Sequence, residues 1–173
     1  TSMGLTPLEG LIRGTRSGDV DGAVIQFIAN HENKTVDEVL NILNKKSGVL
    51  GMTGISSDFR DIEIAAENVD HMAEVALDAF RYRVAKYIGA YVAAMNGVDA
   101  IAFTGGIGEN SVGAKKQICE GLSFFGVELD EEKNAKRLPG NVELSTENSK
   151  VKIYKIETAE ELVIARDTYE LTK

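Results

Sequence analysis

Val98-Asp99-Ala100-Ile101-Ala102-Phe103-Thr104-Gly105-Gly106-Ile107-Gly108-Glu109-Asn110 decides the fold class. A short apolar run stops at a glycine pair. Such a run reads as a buried parallel strand that meets a tight turn. Helical spacing resumes from about Asn110 to Phe124. Downstream, Lys150 to Glu157 alternates through Val151, Ile153, Tyr154 and Ile156 and predicts a second strand. Ala159 to Leu171 predicts a terminal helix, and the polar stretch Asp130 to Ser149 reads as a surface connection. Strand, glycine turn, helix, strand, helix is the order of an α/β protein.

Upstream the pattern is helical. Asp21 to Ala29 carries an apolar stripe at Ala23, Val24, Phe27 and Ile28. Thr35 to Lys46 opens on a capping box, Thr35 with Glu38 three residues on, and closes at Ser47-Gly48. A further helix is expected to begin near Ser57 or Asp58, after a loop that starts at Gly48. The strongest pattern is Asp70 to Met95, whose wide apolar stripe predicts a mostly buried helix. Thr1 to Asp21 is rich in Gly, Thr and Ser and reads as a long loop with a helical turn at Pro7 to Ile12. Loops of that length in compact domains are usually functional or disordered. Two strands are too few to cover this many helices, so either strands escape the pattern or the chain is part of a larger protein.

Composition narrows the function classes. The 173 residues are 43% hydrophobic and 27% charged, which is ordinary for a globular domain. No apolar run approaches the roughly 18 to 20 residues of a membrane span, and TSMGLTPLEG is not a secretory signal. Asp and Glu number 27 against 19 Lys and Arg, a net charge of −8, which argues against nucleic acid as a partner. A small anionic ligand needs only a few local donors and stays open. The single Cys119 forms no intrachain disulfide and fits a reducing cytoplasm. His31 and His71 show no zinc-ligand spacing and read as surface residues. Cys119 reads as a core thiol.

Four motifs carry candidate chemistry, each beside a plainer reading. TGGIGEN, Thr104 to Asn110, joins a strand to a helix. Glycines admit a ligand close to the backbone, and a helix start offers free N–H groups to phosphate; the plainer reading is a tight turn. GISSDFRD, Gly54 to Asp61, offers Asp58 as an acceptor and Arg60 as a stacking cation; the plainer reading is a helix capped by Ser56 or Ser57 with a surface ion pair. GTRSGD, Gly14 to Asp19, sets Arg16 where a guanidinium reaches a transferring phosphoryl group; the plainer reading is a solvated loop arginine. TAEEL, Thr158 to Leu162, holds an acidic pair suited to Mg²⁺; Thr158 with Glu161 also reads as a capping box.

The joint order of TSMGLTPLEGL, GTRSGD, LNKKSGVLG, GISSDFRDIE, FTGGIGEN and TAEELVIARDT closely resembles the second half of the acetate kinase family, from Thr1 to about Thr168. The resemblance implies a partial ribonuclease H-like (actin-like ATPase) domain of α/β class, helix-rich with a small mainly parallel sheet. It also implies reversible phosphoryl transfer between ATP and acetate with Mg²⁺, in a cytoplasmic homodimer with no nucleic-acid or membrane partner. ATP or ADP and Mg²⁺ are the implied cofactors, and acetate and acetyl phosphate the implied small-molecule partners. Carried over motif by motif, Arg16 matches the arginine on the transferring phosphoryl group. Asp58, Phe59 and Arg60 match the adenine and ribose segment. Gly106, Ile107, Gly108, Glu109 and Asn110 match the nucleotide loop, and Glu160 matches the acid tied to Mg²⁺.

Departures are local except one. Ala159 replaces an Asn or Asp, Gly22 replaces a common Pro, and Lys115 and Lys116 stand where the helix after GIGEN often has an arginine. The family's N-terminal domain, with its opening phosphate loop and catalytic aspartate, is absent from residues 1–173. The chain is therefore expected to be a nucleotide-binding C-terminal portion, inactive alone. A propionate kinase portion and a non-catalytic nucleotide-binding or dimerisation module are the alternatives.

Overall fold

The computed structural model describes residues 2–173, apart from the side chain of Glu160. The chain divides into two compact units, residues 1–94 and 95–173.

The first unit is helical: α1 (Gly22–His31), α2 (Val36–Lys45), α3 (Gly48–Thr53), α4 (Phe59–Glu67) and α5 (His71–Met95), the last running one residue past the boundary. Asp21 caps α1 by accepting from Ala23 N. The predicted capping box starts α2: Glu38 N donates to Thr35 Oγ1 at 3.2 Å, and Thr35 N donates to Glu38 Oε2 at 2.7 Å. Ala29, Val39 and Leu43 bury the seam between α1 and α2. Val49, Ile62, Ala73, Ala76 and Leu77 form a second core under α3, α4 and α5. Burying a side chain such as Ile62, fully enclosed here, stabilises by about 1.5–3 kcal/mol.

Three expectations fail in this unit. Residues 48–53 are helix α3, not loop. Gly48 and Gly51 weaken the intrinsic preference, and tertiary hydrogen bonds supply what sequence withholds. Pro7 to Ile12 forms bends and a turn without a helix. The helix α5 buries only Ala73, Ala76, Leu77 and Val92, while Tyr82 and Met95 each stay 64% exposed. Its wide stripe finds neighbours over part of its length only.

The second unit holds a three-stranded sheet in the order β1–β3–β2, built from β1 (Ala100–Phe103), β2 (Val142–Glu143) and β3 (Lys152–Lys155). β1 runs parallel to β3 with Ile101 opposite Ile153, and β2 runs antiparallel to β3 with Val142 opposite Lys155. Around it lie α6 (Gly105–Asn110), α7 (Val112–Glu120), a 3₁₀ turn at Ser123–Phe125, α8 (Glu131–Ala135) and α9 (Glu160–Thr172). Ile101, Phe103, Ala114, Ile118, Leu122, Leu144 and Ile153 are buried.

β1 alternates, with Ile101 and Phe103 buried and Ala100 and Ala102 exposed. It therefore has one covered face where an apolar run predicts two. The expected helix from Asn110 splits, because Ser111 ends α6 with extended backbone and caps α7 by accepting from Ala114 N. The expected surface connection Asp130 to Ser149 contains α8 and β2, and it buries Asn134, Leu144 and Ser145. Cys119 is a core thiol as expected, and burial pushes its pKa up to about 12. No helix among the described residues is long and apolar enough to cross a membrane.

Candidate nucleotide and phosphoryl site

Arg16 rides on a loop locked between two helix ends. Helices leave their first N–H groups and last C=O groups without intrahelical partners. Here the loop supplies both sets. Ser17 N donates to Leu43 O at 2.9 Å and Thr15 Oγ1 to Asn44 O at 3.0 Å, which satisfies the end of α2. Val49 N donates to Arg13 O at 2.9 Å, Leu50 N to Gly14 O at 3.0 Å and Ser47 N to Thr15 O at 3.0 Å, which satisfies the start of α3. The fit requires Gly48: its φ is +64°, and a Cβ there would overlap Arg13 O.

Asp19 fixes the far side of the loop. Its carboxylate accepts from Gly10 N at 2.7 Å, from Arg83 Nη2 at 2.6 Å and from the Tyr87 hydroxyl at 2.8 Å. Donation to this carboxylate pushes the Tyr87 pKa up. Arg16 itself is half-buried, and among the described residues nothing hydrogen-bonds or ion-pairs its guanidinium. A pocket of about 300 Å³, lined in part by Ile12, Ser17, Lys46, Ser47 and Met52, lies in the same unit.

The Asp58–Arg60 segment also belongs to the first unit, and Gly14 lies against the Ser57 carbonyl. Asp58, not Ser56 or Ser57, caps α4: its carboxylate accepts from Arg60 N at 2.9 Å. The serine role fails because Ser56 Oγ is taken up by Asp61 Oδ2 at 2.6 Å and by Asp58 N at 3.1 Å. The Arg60 guanidinium doubles back on Asp58, and these hydrogen bonds lower the Asp58 pKa to about 2. The Arg60 side chain is 85% exposed, so its flat face is accessible. Phe59 packs on Phe80 with ring centroids 4.7 Å apart, so its ring belongs to the core.

In the second unit, α6 begins directly where β1 ends. Gly108 makes that junction possible, since a Cβ there would stand 3.0 Å from the Phe103 carbonyl carbon. Asn110 Nδ2 donates back to Gly106 O at 2.9 Å. Glu109 acts inside the scaffold. Its Oε1 accepts from Gly105 N at 3.1 Å, from Thr158 N at 3.0 Å and from Thr158 Oγ1 at 2.6 Å. These bonds hold the Glu109 carboxyl below its usual range. They also bring α6 beside the segment after β3, the edge of a parallel pair where ligands bind in open α/β sheets. Thr158 does not form the expected capping box, because Ala159 is the N-cap of α9 and makes no side-chain bond. Glu160 opens α9, but its side chain lies outside the described residues.

Thus Arg16 and Asp58–Arg60 share one unit, and Gly106–Asn110 and Glu160 share the other. Sequence reading misses Thr158, Asp19 and Lys115 as parts of the framework, because their partners are backbone groups or distant side chains. Among the described residues no three His, Cys, Asp or Glu side chains gather into a metal cage. Mg²⁺ bound mainly through phosphates and water needs only one or two carboxylates.

The motif-bearing strand–glycine–helix junction and the anchored arginine loop belong to a chain that known proteins resemble over nearly its whole length. The profile of the Acetokinase family matches residues 1–166, and the chain belongs to that family. It is 59% identical over 171 residues to the acetate kinase of Lachnoclostridium phytofermentans, covering 99% of this chain and 43% of that protein. A crystal structure of Porphyromonas gingivalis acetate kinase matches with a TM-score of 0.90 at 43% identity, over 99% of this chain and 43% of that one. A propionate kinase from Francisella tularensis matches with a TM-score of 0.87 at 41% identity, over 95% and 41%. The chain therefore spans less than half the length of the relatives it matches.

Proposed function

We propose that this chain is the nucleotide-binding, phosphoryl-contacting portion of an acetate kinase. That enzyme would move a phosphoryl group reversibly between ATP and acetate, giving ADP and acetyl phosphate. The carrying observation is Arg16: a half-buried guanidinium, unengaged among the described residues, on a loop whose backbone is pinned to α2 and α3. Phosphoryl transfer is mostly positioning and charge stabilisation. A preorganised fork of N–H donors binds the equatorial oxygens as charge develops on them.

The remaining residues take supporting roles. The flat Arg60 guanidinium stacks on the base or ribose, with Asp58 holding it in place. The amides of α6 face the nucleotide, and Asn110 adds an amide side chain. Mg²⁺, when bound, neutralises phosphate charge, and Glu160 holds it directly or through water. The likeness to a propionate kinase makes propionate the second candidate acceptor. A cytoplasmic homodimer completes the reading, and the apolar side chains left exposed on α5, such as Met72 and Tyr82, suit such an interface.

The test is Arg16→Ala in a complete acetate kinase carrying these residues, followed by hydroxamate trapping of acetyl phosphate. The expected result is a fall of roughly 10²–10³ in kcat with little change in KM for ATP. Near-normal turnover would remove Arg16 from the chemistry. The 173-residue chain alone is expected to trap acetyl phosphate at background only, because one wall of a cleft cannot orient both reactants.

A further inference from the structure

Lys115 is an unusual residue to find inside a protein. It is 2% exposed, on the first full turn of α7. Burying an ammonium is costly unless its protons are taken up. Here its Nζ donates to Gly108 O at 3.1 Å, Glu109 O at 3.1 Å and Ser111 O at 2.9 Å. Those three bonds match the three donors that an ammonium carries.

The acceptors share a location. Gly108 and Glu109 lie in the last turn of α6, and Ser111 is its C-cap. The final carbonyls of a helix lack intrahelical partners. Those of α6 face a further obstacle, since α7 starts at once and Ser111 turns the chain with extended backbone. The break leaves several carbonyls pointing into buried space, and one cation from the next helix gathers them.

The other end of α6 is held independently, through Gly105 N on Glu109 Oε1. With six residues, α6 has little internal rigidity of its own. Its conformation is set by these attachments, by the bonds from Thr158 to Glu109 and by contact of Gly108 with Phe103. Of these, the Lys115 attachment is the buried one.

We propose that Lys115 is a positioning residue for the nucleotide: it fixes the α6 backbone that faces the ligand while making no contact with the ligand itself. This rests on the reading of Gly106–Asn110 as the nucleotide loop.

The test uses Lys115→Met, Lys115→Gln and Lys115→Arg. Amide hydrogen exchange is followed in the 173-residue chain, and steady-state kinetics in a complete acetate kinase that carries these residues. For Lys115→Met, faster exchange confined to residues 105–112 is expected. The KM for both ATP and ADP should rise about tenfold or more, with KM for acetate changed less than about twofold. Lys115→Arg, which keeps charge and donors, should recover most of the nucleotide affinity. Parent-like exchange at 105–112 together with parent-like nucleotide KM in Lys115→Met would overturn the proposal. If the methionine variant does not fold, Lys115→Gln is judged by the same two readouts. Asn110→Ala separates the two ideas. Unchanged nucleotide affinity there sinks the nucleotide reading alone, and exchange at 105–112 still decides whether Lys115 holds α6.

Discussion

The loop around Arg16 and the turn at Gly105–Asn110 both carry candidate ligand residues, but they are built in opposite ways. Residues 13–17 are held by main-chain hydrogen bonds to Leu43, Ser47, Val49 and Leu50. The α6 turn is held by side chains, Glu109 on Gly105 and Thr158 and Lys115 on three carbonyls. A loop held by backbone depends on conformation and on close approach, so glycine is its critical residue. A turn held by side chains depends on chemistry, so charged and hydroxyl groups are critical.

Paired glycine substitutions press hardest on this difference. Gly48→Ala should lower the unfolding free energy by at least about 2 kcal/mol, since a left-handed backbone penalises a Cβ and this one would also strike Arg13 O. Gly106→Ala should leave stability nearly unchanged. No heavy atom lies within 4 Å of its added methyl, the φ is not left-handed, and alanine favours helix. In the complete enzyme that methyl should instead raise KM for ATP. Denaturant unfolding of both variants checks the contrast. Equal losses would mean that the two loops are held alike.

A smaller effect is expected at the latch between the strands. Thr158→Val removes one of three donors to Glu109 Oε1 and leaves the backbone bond intact. It should raise KM for nucleotide and for Mg²⁺ together, by several-fold, because it loosens α6 and the Glu160 segment at once. A change in one constant alone would show that the two segments are not coupled. The pH dependence has a definite sign. The Glu109 pKa is held down by Thr158, so the latch is intact above the ordinary carboxylate range and opens only as pH falls through the depressed value.

These two regions also show what a sequence can display. The capping box of α2 was legible because its partners, Thr35 and Glu38, are three residues apart. β1 and β3 were legible because burial imposes a local pattern. α3 was not, since its first N–H groups are satisfied by Arg13 and Gly14, more than thirty residues upstream. β2 was not, because two residues give no period. Motif order marks the candidate ligand residues, but it marks Glu109 only as nucleotide lining and not as a bond across the fold. Its bond to Thr158 spans 49 positions, and no spacing rule covers that distance.

The smallest effect concerns Asp58, where the same contrast has a third form: a helix start held by one exposed side chain. Asp58 accepts from the Arg60 guanidinium and from Arg60 N, and these bonds place its pKa at about 2, below an unfolded value of about 3.9. A carboxyl with a depressed folded pKa stabilises the fold above its unfolded value and loses that contribution as pH falls through the folded one. The cap is therefore at full strength from neutral pH down to about 4 and fades between about 4 and 2. Because the pair is exposed, solvent and salt screen it, and its share of stability is modest. Asp58→Asn should therefore keep most of the helix start, since asparagine also caps well, while freeing Arg60. The parent should melt only slightly above the variant at pH 7. The parent's slight advantage, if measured in low salt, should vanish by pH 2 and shrink at high ionic strength. An advantage that grows as the pH falls below 4 would contradict the ion-paired cap, since protonation can only remove it.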